Sequence, residues 1–192
     1  CYVEPQTIEL LLQKCTEFIK KYCLELKKVG ANGVVIAEPA AGLLSNDDCL
    51  KFATPYLKEI IEAVQDESFI VVLHNCGNTG HCTQSMVATG AWAQHFGNKI
   101  DMVKALEDAP SEMLVMGNLD PVALFKVASP AEMKAATQHC SNALKIIIIL
   151  YSLQDVIHLQ RFRLPILLHF MKLSMSLMLI GLNIIGSFHR KR

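Results

Sequence analysis

An imidazole and a thiol two positions apart, His74 and Cys76, are the sharpest chemical signal in the chain. Imidazole nitrogen and thiolate sulfur are the preferred protein donors to zinc, and at a strand end such a pair points to one side. Gly77 and Gly80 allow the tight backbone that turns both side chains toward one ion. Taken alone, the pair reads more readily as a core histidine beside an inert thiol. His81 and Cys82 follow as alternative ligands or as part of a surface loop.

Further polar residues stand at comparable points along the chain. Glu38, before Pro39, is a candidate carboxylate ligand or catalytic acid, or a solvated residue. Asp120, before Pro121, is a second candidate for catalysis, or the cap of the next helix. His95, with Asn98 nearby, is suited to an anionic group of a substrate or cofactor, or to packing on a half-buried strand. Asn118 joins it as a candidate cofactor contact.

Each of these residues closes an apolar run. Gly33 to Ala37, Phe69 to Leu73 and Met113 to Met116 are short and lack polar alternation, as strands buried on both faces do, while Ala91 to Phe96, with Gln94 and His95 inside it, reads as a weaker strand. Amphipathic segments separate them. Residues Pro5 to Val29 have apolar positions at helical spacing and end at Gly30. Ser45 with Asp47 and Asp48 reads as a helix start, with the helix over Leu50 to Val64. Shorter helices are predicted over Thr83 to Thr89 and Asp101 to Glu107. Ser129-Pro130-Ala131-Glu132 starts a last helix that runs to about Lys145. Repetition of strand, loop and helix predicts a parallel α/β sheet. Polar residues at the end of every strand favour barrel closure, because a (β/α) barrel gathers them all at one mouth.

Composition divides the chain in two. Of the 192 residues 52% are hydrophobic and 19% charged, which is rich for a soluble domain, and the excess is concentrated after Lys145. Residues 1–145 read as one α/β domain and residues 146–192 as an apolar tail with a single acid, Asp155. A formal net charge of zero gives no reason to expect a nucleic-acid partner. Seven cysteines without a regular framework suit a reducing cytoplasm, with Cys15, Cys23, Cys49 and Cys140 as buried apolar positions. The first residue is Cys1 rather than Met, as expected of a fragment.

Four ordered motifs carry a family resemblance. Leu73-His-Asn-Cys-Gly-Asn-Thr79 resembles the zinc motif of methylcobamide:coenzyme M methyltransferases and their relatives in the uroporphyrinogen decarboxylase superfamily. Ala37-Glu-Pro-Ala-Ala41, Gln94-His-Phe-Gly-Asn98 and Met116-Gly-Asn-Leu-Asp-Pro121 followed by Ser129-Pro-Ala-Glu132 look like its other landmarks, in the same order. The resemblance implies the C-terminal part of an eight-stranded (β/α) barrel whose first strands are missing. It also implies zinc held by His74 and Cys76, with Glu38 where a carboxylate assists. In that scheme the metal binds a small thiol acceptor, which takes a methyl group from a methylated corrinoid on a partner corrinoid protein. Porphyrinogen decarboxylases of the same superfamily need no metal, and the His-x-Cys pair argues against that branch.

The resemblance also implies a second ligand cysteine in a Ser-Gly-Cys strand end after the last helix, where the chain instead reads Ile146 to Val156. A frame-shifted translation after Lys145 accounts for this. With suitable synonymous codons, the bases for residues 146–156 read one position earlier encode Asn-Tyr-His-Asn-Phe-Ile-Leu-Ser-Ser-Gly-Cys. In the same frame Arg161 to Leu173 decode as a segment resembling the family's terminal loop and helix. The competing reading is a membrane anchor over Pro165 to Gly186, opposed by His169 and Lys172 inside the span at several kcal/mol.

Overall fold

The computed structural model describes residues 2–77, 80–120, 122–124, 126–144 and 157–158. The expected strand over 146–156 and the possible span over 165–186 lie outside the described residues. Among the described residues no helix is long and apolar enough to cross a membrane.

Helix α1, Pro5–Lys28, starts with proline in its first turn, where no N–H is needed. It ends in a Schellman closure: Gly30 takes φ 91°, its N–H donates to Lys27 O at 3.1 Å, and Ala31 N–H donates to Leu26 O at 3.0 Å. The chain then enters β1, Gly33–Ala37. Between β1 and the next strand the sequence predicts one helix from Leu50 to Val64, but the structure has two, α2 (Asn46–Phe52) and α3 (Thr54–Val64). Pro55 is the reason: it has no N–H to donate and its ring crowds the carbonyl four residues back, so the chain breaks at Ala53. Ser45 caps α2 by accepting from Asp48 N–H at 3.1 Å.

Strand β2 is Ile70–Asn75. A 3-10 turn, Gly80–Cys82, leads into α4, Thr83–Val87. Then come β3 (Ala93–Phe96), α5 (Met102–Asp108), β4 (Leu114–Met116) and α6 (Pro130–Leu144). Helix α6 begins at the start expected from its sequence, and there Ser129 and Glu132 form a capping box, with Ser129 N–H donating to Glu132 Oε2 at 2.7 Å and Glu132 N–H donating to Ser129 Oγ at 3.4 Å.

Strands β1 to β4 are parallel, and their spatial order is their sequence order. A doubly wound sheet reverses that order at a switch point, whereas a (β/α) barrel does not. The fold is therefore an α/β arc of four parallel strands, a part of a TIM-type barrel. The fifth strand, β5 (Ile157–His158), pairs with β4 antiparallel.

Val71, Leu73, Phe96 and Val115 pack against Ile60, Ile61, Val64, Met86 and Leu106 from the helices. Each such side chain, once fully buried, contributes roughly 1.5–3 kcal/mol. Since side chains alternate along a strand, the helix-facing set fixes the other set, including Val35, Ala37, His74 and His95, on the inner face. Val35 is 65% exposed there, at the open edge of the arc.

Candidate functional site

The register aligns Ala37, His74, His95 and Met116 as one row across β1 to β4, at the carboxyl ends of the strands. Within that row the two imidazoles meet. His74 Nδ1 lies 2.5 Å from His95 Nδ1, with ring centroids 4.6 Å apart and the rings tilted by 43°. Cys76 follows just beyond β2 and is exposed.

Asn75, between the two candidate ligands, holds their backbone. It is 1% exposed, its Nδ2 donates to Glu38 O, and its Oδ1 accepts from Gly77 N–H at 2.8 Å. Its own carbonyl accepts from Gly97 N–H at 3.0 Å. The segment carrying Cys76 is thereby tied to β1 on one side and to the end of β3 on the other. Close backbone approach explains two glycines. A Cβ on Gly97 would lie 2.7 Å from Cys76 O, and one on Gly77 would lie 3.1 Å from Gly42 Cα. Gly80 is different from the sequence expectation: a Cβ there meets only Ile100 Cδ1 at 3.8 Å, so no tight backbone requires it.

Glu38 continues the ladder beyond β1, its N–H donating to His74 O at 2.9 Å. Its side chain belongs to the other face. Oε2 accepts from Ala41 N–H at 2.7 Å, capping the 3-10 turn Pro39–Leu43. The carboxyl borders a cavity of about 10 Å³, with Cys49, Leu73 and Asn75, on the helix side of the sheet. Burial pushes its pKa up, against the downward pull of the Ala41 and Ala40 N–H groups. Alternation along β1 thus separates Glu38 from the imidazole row, and its geometry is that of a cap.

Asn118 and Asp120 gather elsewhere. Asp120 Oδ1 accepts from Val122 and Ala123 N–H, both at 2.8 Å, and Oδ2 accepts from Asn98 Nδ2 at 2.6 Å. The backbone donors, then Asn98, hold its carboxyl below the ordinary range. Asn118 Nδ2 donates to Gly97 O at 3.1 Å and Ile100 O at 2.5 Å. With Asp101, Met102 and His139 these residues line a cleft of about 410 Å³. The candidate residues therefore fall into three places: His74 with His95 and the following Cys76; Asn118 with Asp120; and Glu38 alone behind the sheet.

The alternative ligands do not join His74. His81 Nε2 donates to Leu44 O at 2.9 Å, and Cys82 is buried beside Cys49. Of the cysteines expected to be buried, Cys23 and Cys49 are, whereas Cys15 is exposed, being on the solvent side of α1. The Cys140 side chain lies outside the described residues. Among the described residues no group of three or more His, Cys, Asp or Glu can hold a metal ion. His74 and Cys76 are zinc donors by type, and among the described residues no third such side chain joins them. Asn75 was missed by sequence reasoning. Its signal was available in principle, as an amide inside an apolar run at a strand end, where a buried polar group must bond to backbone.

The family model described as uroporphyrinogen decarboxylase (URO-D) matches residues 1–148. A uroporphyrinogen decarboxylase of Chlorobium limicola is 34% identical over 139 residues, covering 70% of this chain and 39% of that protein. The methylcobamide:CoM methyltransferase MtbA of Methanosarcina mazei is 31% identical over 138 residues, covering 71% of this chain and 40% of its own. MtbA of Methanosarcina acetivorans is 30% identical over 135 residues. The chain spans about two fifths of the length of the curated relatives it matches.

Proposed function

Because the chain belongs to the uroporphyrinogen decarboxylase family over residues 1–148, we propose that it is the site-bearing part of a corrinoid-linked methyltransferase barrel. The observation that carries this reading is the placement of His74 and Cys76 at the carboxyl end of β2, with His74 in the inner-face row. Similarity to methylcobamide:CoM methyltransferases supports it. Similarity to uroporphyrinogen decarboxylases is of the same order, 34% against 31%, and does not separate the two branches. The donor pair favours the methyltransferase branch, because an imidazole and a thiol two positions apart at a strand end suit a divalent metal such as zinc.

Zinc held there by His74 and Cys76 would lower the pKa of a bound small thiol and keep its sulfur available to a methyl group on a partner's corrinoid. The chain's own residues have positioning roles. His95 sets the orientation of His74, Asn75 fixes the loop of Cys76, and Glu38 and Asp120 hold the loops that follow β1 and β4. With two donors among the described residues, weak zinc binding without turnover is the expected behaviour of this polypeptide.

The same reading takes residues 146–192 as a frame-shifted translation of the last strand and helix. The end of the family match at residue 148 supports it, as does the antiparallel pairing of β5 where a barrel continues with a parallel strand. Sequencing the nucleic acid across the codon for Lys145 tests it: a changed base count that returns Ser-Gly-Cys is expected, and an unchanged frame contradicts it. For the activity, the zinc-loaded product of the whole gene with its frame restored is assayed for thiol-dependent demethylation of methylcobalamin and for decarboxylation of uroporphyrinogen. Demethylation that is lost in Cys76→Ala is expected. Decarboxylation without demethylation would overturn the reading.

A further inference from the structure

Cys49 in α2 and Cys82 at the end of the Gly80–Cys82 turn are 2% and 0% exposed, and their sulfurs lie 3.5 Å apart. A single buried cysteine is ordinarily an inert small hydrophobe. Two in contact from separate elements are a different arrangement. Both thiols also converge on the same backbone. Cys49 Sγ donates to Ala41 O at 3.5 Å, while Cys82 Sγ lies 4.0 Å from Ala41 O and 3.6 Å from Leu44 O. The pair joins the loop after β1, helix α2 and the turn that follows the His74–Cys76 segment.

We propose that Cys49 and Cys82 form a redox-active dithiol that closes to an intramolecular disulfide, clamping α2 to the turn after β2. A low-molecular-weight disulfide of the glutathione type is the oxidant. One cysteine, as thiolate, attacks that disulfide, forms a mixed disulfide and releases one small thiol. The second cysteine then attacks the protein-bound sulfur and releases the other small thiol. The protein gives up two hydrogens and two electrons, and the small disulfide receives them. Sulfur atoms 3.5 Å apart close to about 2.05 Å, a short movement for two side chains.

Burial, then the neighbouring Cys82, pushes the Cys49 thiol up to about 12, so the resting Cys49 is protonated and shielded from solvent. Oxidation is accordingly slower than at the exposed Cys15 and Cys76. Its structural consequence reaches the loop after β1. A disulfide has no S–H to donate, so the Ala41 and Leu44 carbonyls lose their thiol partners. The N–H of Ala41 is the group that holds the Glu38 carboxyl.

The test is oxidation of the full chain with oxidised glutathione, followed by alkylation in denaturant and peptide mass analysis. A cross-linked peptide pair containing Cys49 and Cys82, two hydrogens lighter and reopened by dithiothreitol, is expected. The oxidised chain should unfold at higher urea than the reduced one. In Cys49→Ala or Cys82→Ala the cross-link disappears and the remaining cysteine carries glutathione. Cys49 and Cys82 that stay fully alkylatable after Cys15 has been glutathionylated would overturn the proposal, as would cross-links that join other pairs. The wild-type peptide map decides the matter even if neither variant folds.

Discussion

His74 Nδ1 and His95 Nδ1 face each other at 2.5 Å, in register across β2 and β3, so the two rings share one hydrogen bond. One ring must donate and the other accept, which engages the Nδ1 side of His74. A metal-ligating histidine typically has one nitrogen held by such a partner while the other binds the ion. His95→Ala should therefore weaken zinc binding about 10–100-fold, as second-shell losses do. His74→Ala should remove it. Equal effects of the two substitutions, measured by competition with a chromogenic chelator, would contradict this division of roles.

Asn75→Ala tests the backbone clamp. It leaves Gly77 N–H and Glu38 O without the partners they have inside the fold. A fully buried orphaned group costs about 1–3 kcal/mol, and these two are half-buried. A loss of about 1–2 kcal/mol in urea unfolding is expected, with looser metal binding at Cys76. A change under about 0.5 kcal/mol, the range of ordinary surface substitutions, would show that the clamp is not held by this amide.

Gly97→Ala tests the close approach of β3's end to Cys76. The added methyl would meet Cys76 O at 2.7 Å and Cys76 C at 2.9 Å, both backbone atoms that cannot rotate away. A cost of about 1–3 kcal/mol is expected from such overpacking. Gly80→Ala is the control, since its Cβ has only Ile100 Cδ1 at 3.8 Å, and it should be close to neutral. Comparable losses at both positions would remove the steric explanation.

Two carboxyls give pH effects of opposite sign. Lys27 Nζ donates to Asp66 Oδ2 at 2.6 Å and to Val64 O at 2.7 Å, and its ammonium holds the Asp66 carboxyl far below the ordinary range. A depressed folded pKa gives stability that is present above the unfolded value, about 3.9, and lost as pH falls through the folded one. Lys27→Met should flatten that acid limb modestly, since the Asp66 side chain is 52% exposed and screened. Glu38 is raised by burial, so its contribution is greatest below its unfolded value, about 4.3, and declines as pH rises to the folded one. Glu38→Gln should keep the bond from Ala41 and abolish that decline. Urea midpoints from acid to neutral pH check both signs, and a Glu38→Gln chain with the wild-type profile would contradict the second.

Much of the arc was legible because its signals are local. Apolar runs without alternation marked β1, β2 and β4, with β3 a weaker signal because Gln94 and His95 interrupt it; Gly30 marked the end of α1, and Ser129 with Glu132 marked the start of α6. The split between α2 and α3 was readable from Pro55 but was overridden by continuous helical periodicity on either side. The site was legible in part. His74 and His95 lie on one face because β2 and β3 pair in register, and no single-strand pattern contains a register. Glu38 shows the reverse failure: a carboxylate at a strand end looks catalytic, yet one step of alternation turns it to the helix side, where it caps a turn. Cys49 and Cys82, 33 positions apart in sequence, are brought together by the packing of α2 on the turn after β2, which only the tertiary fold contains.

Cobalt(II) titration of the full chain tests the metal-donor pair most directly, because thiolate ligation gives a charge-transfer band in the near ultraviolet. The account predicts a band that saturates only with excess metal, disappears in Cys76→Ser and His74→Ala, and is unchanged in Cys15→Ser. A titration with no thiolate band, or a band that persists in Cys76→Ser, would contradict it.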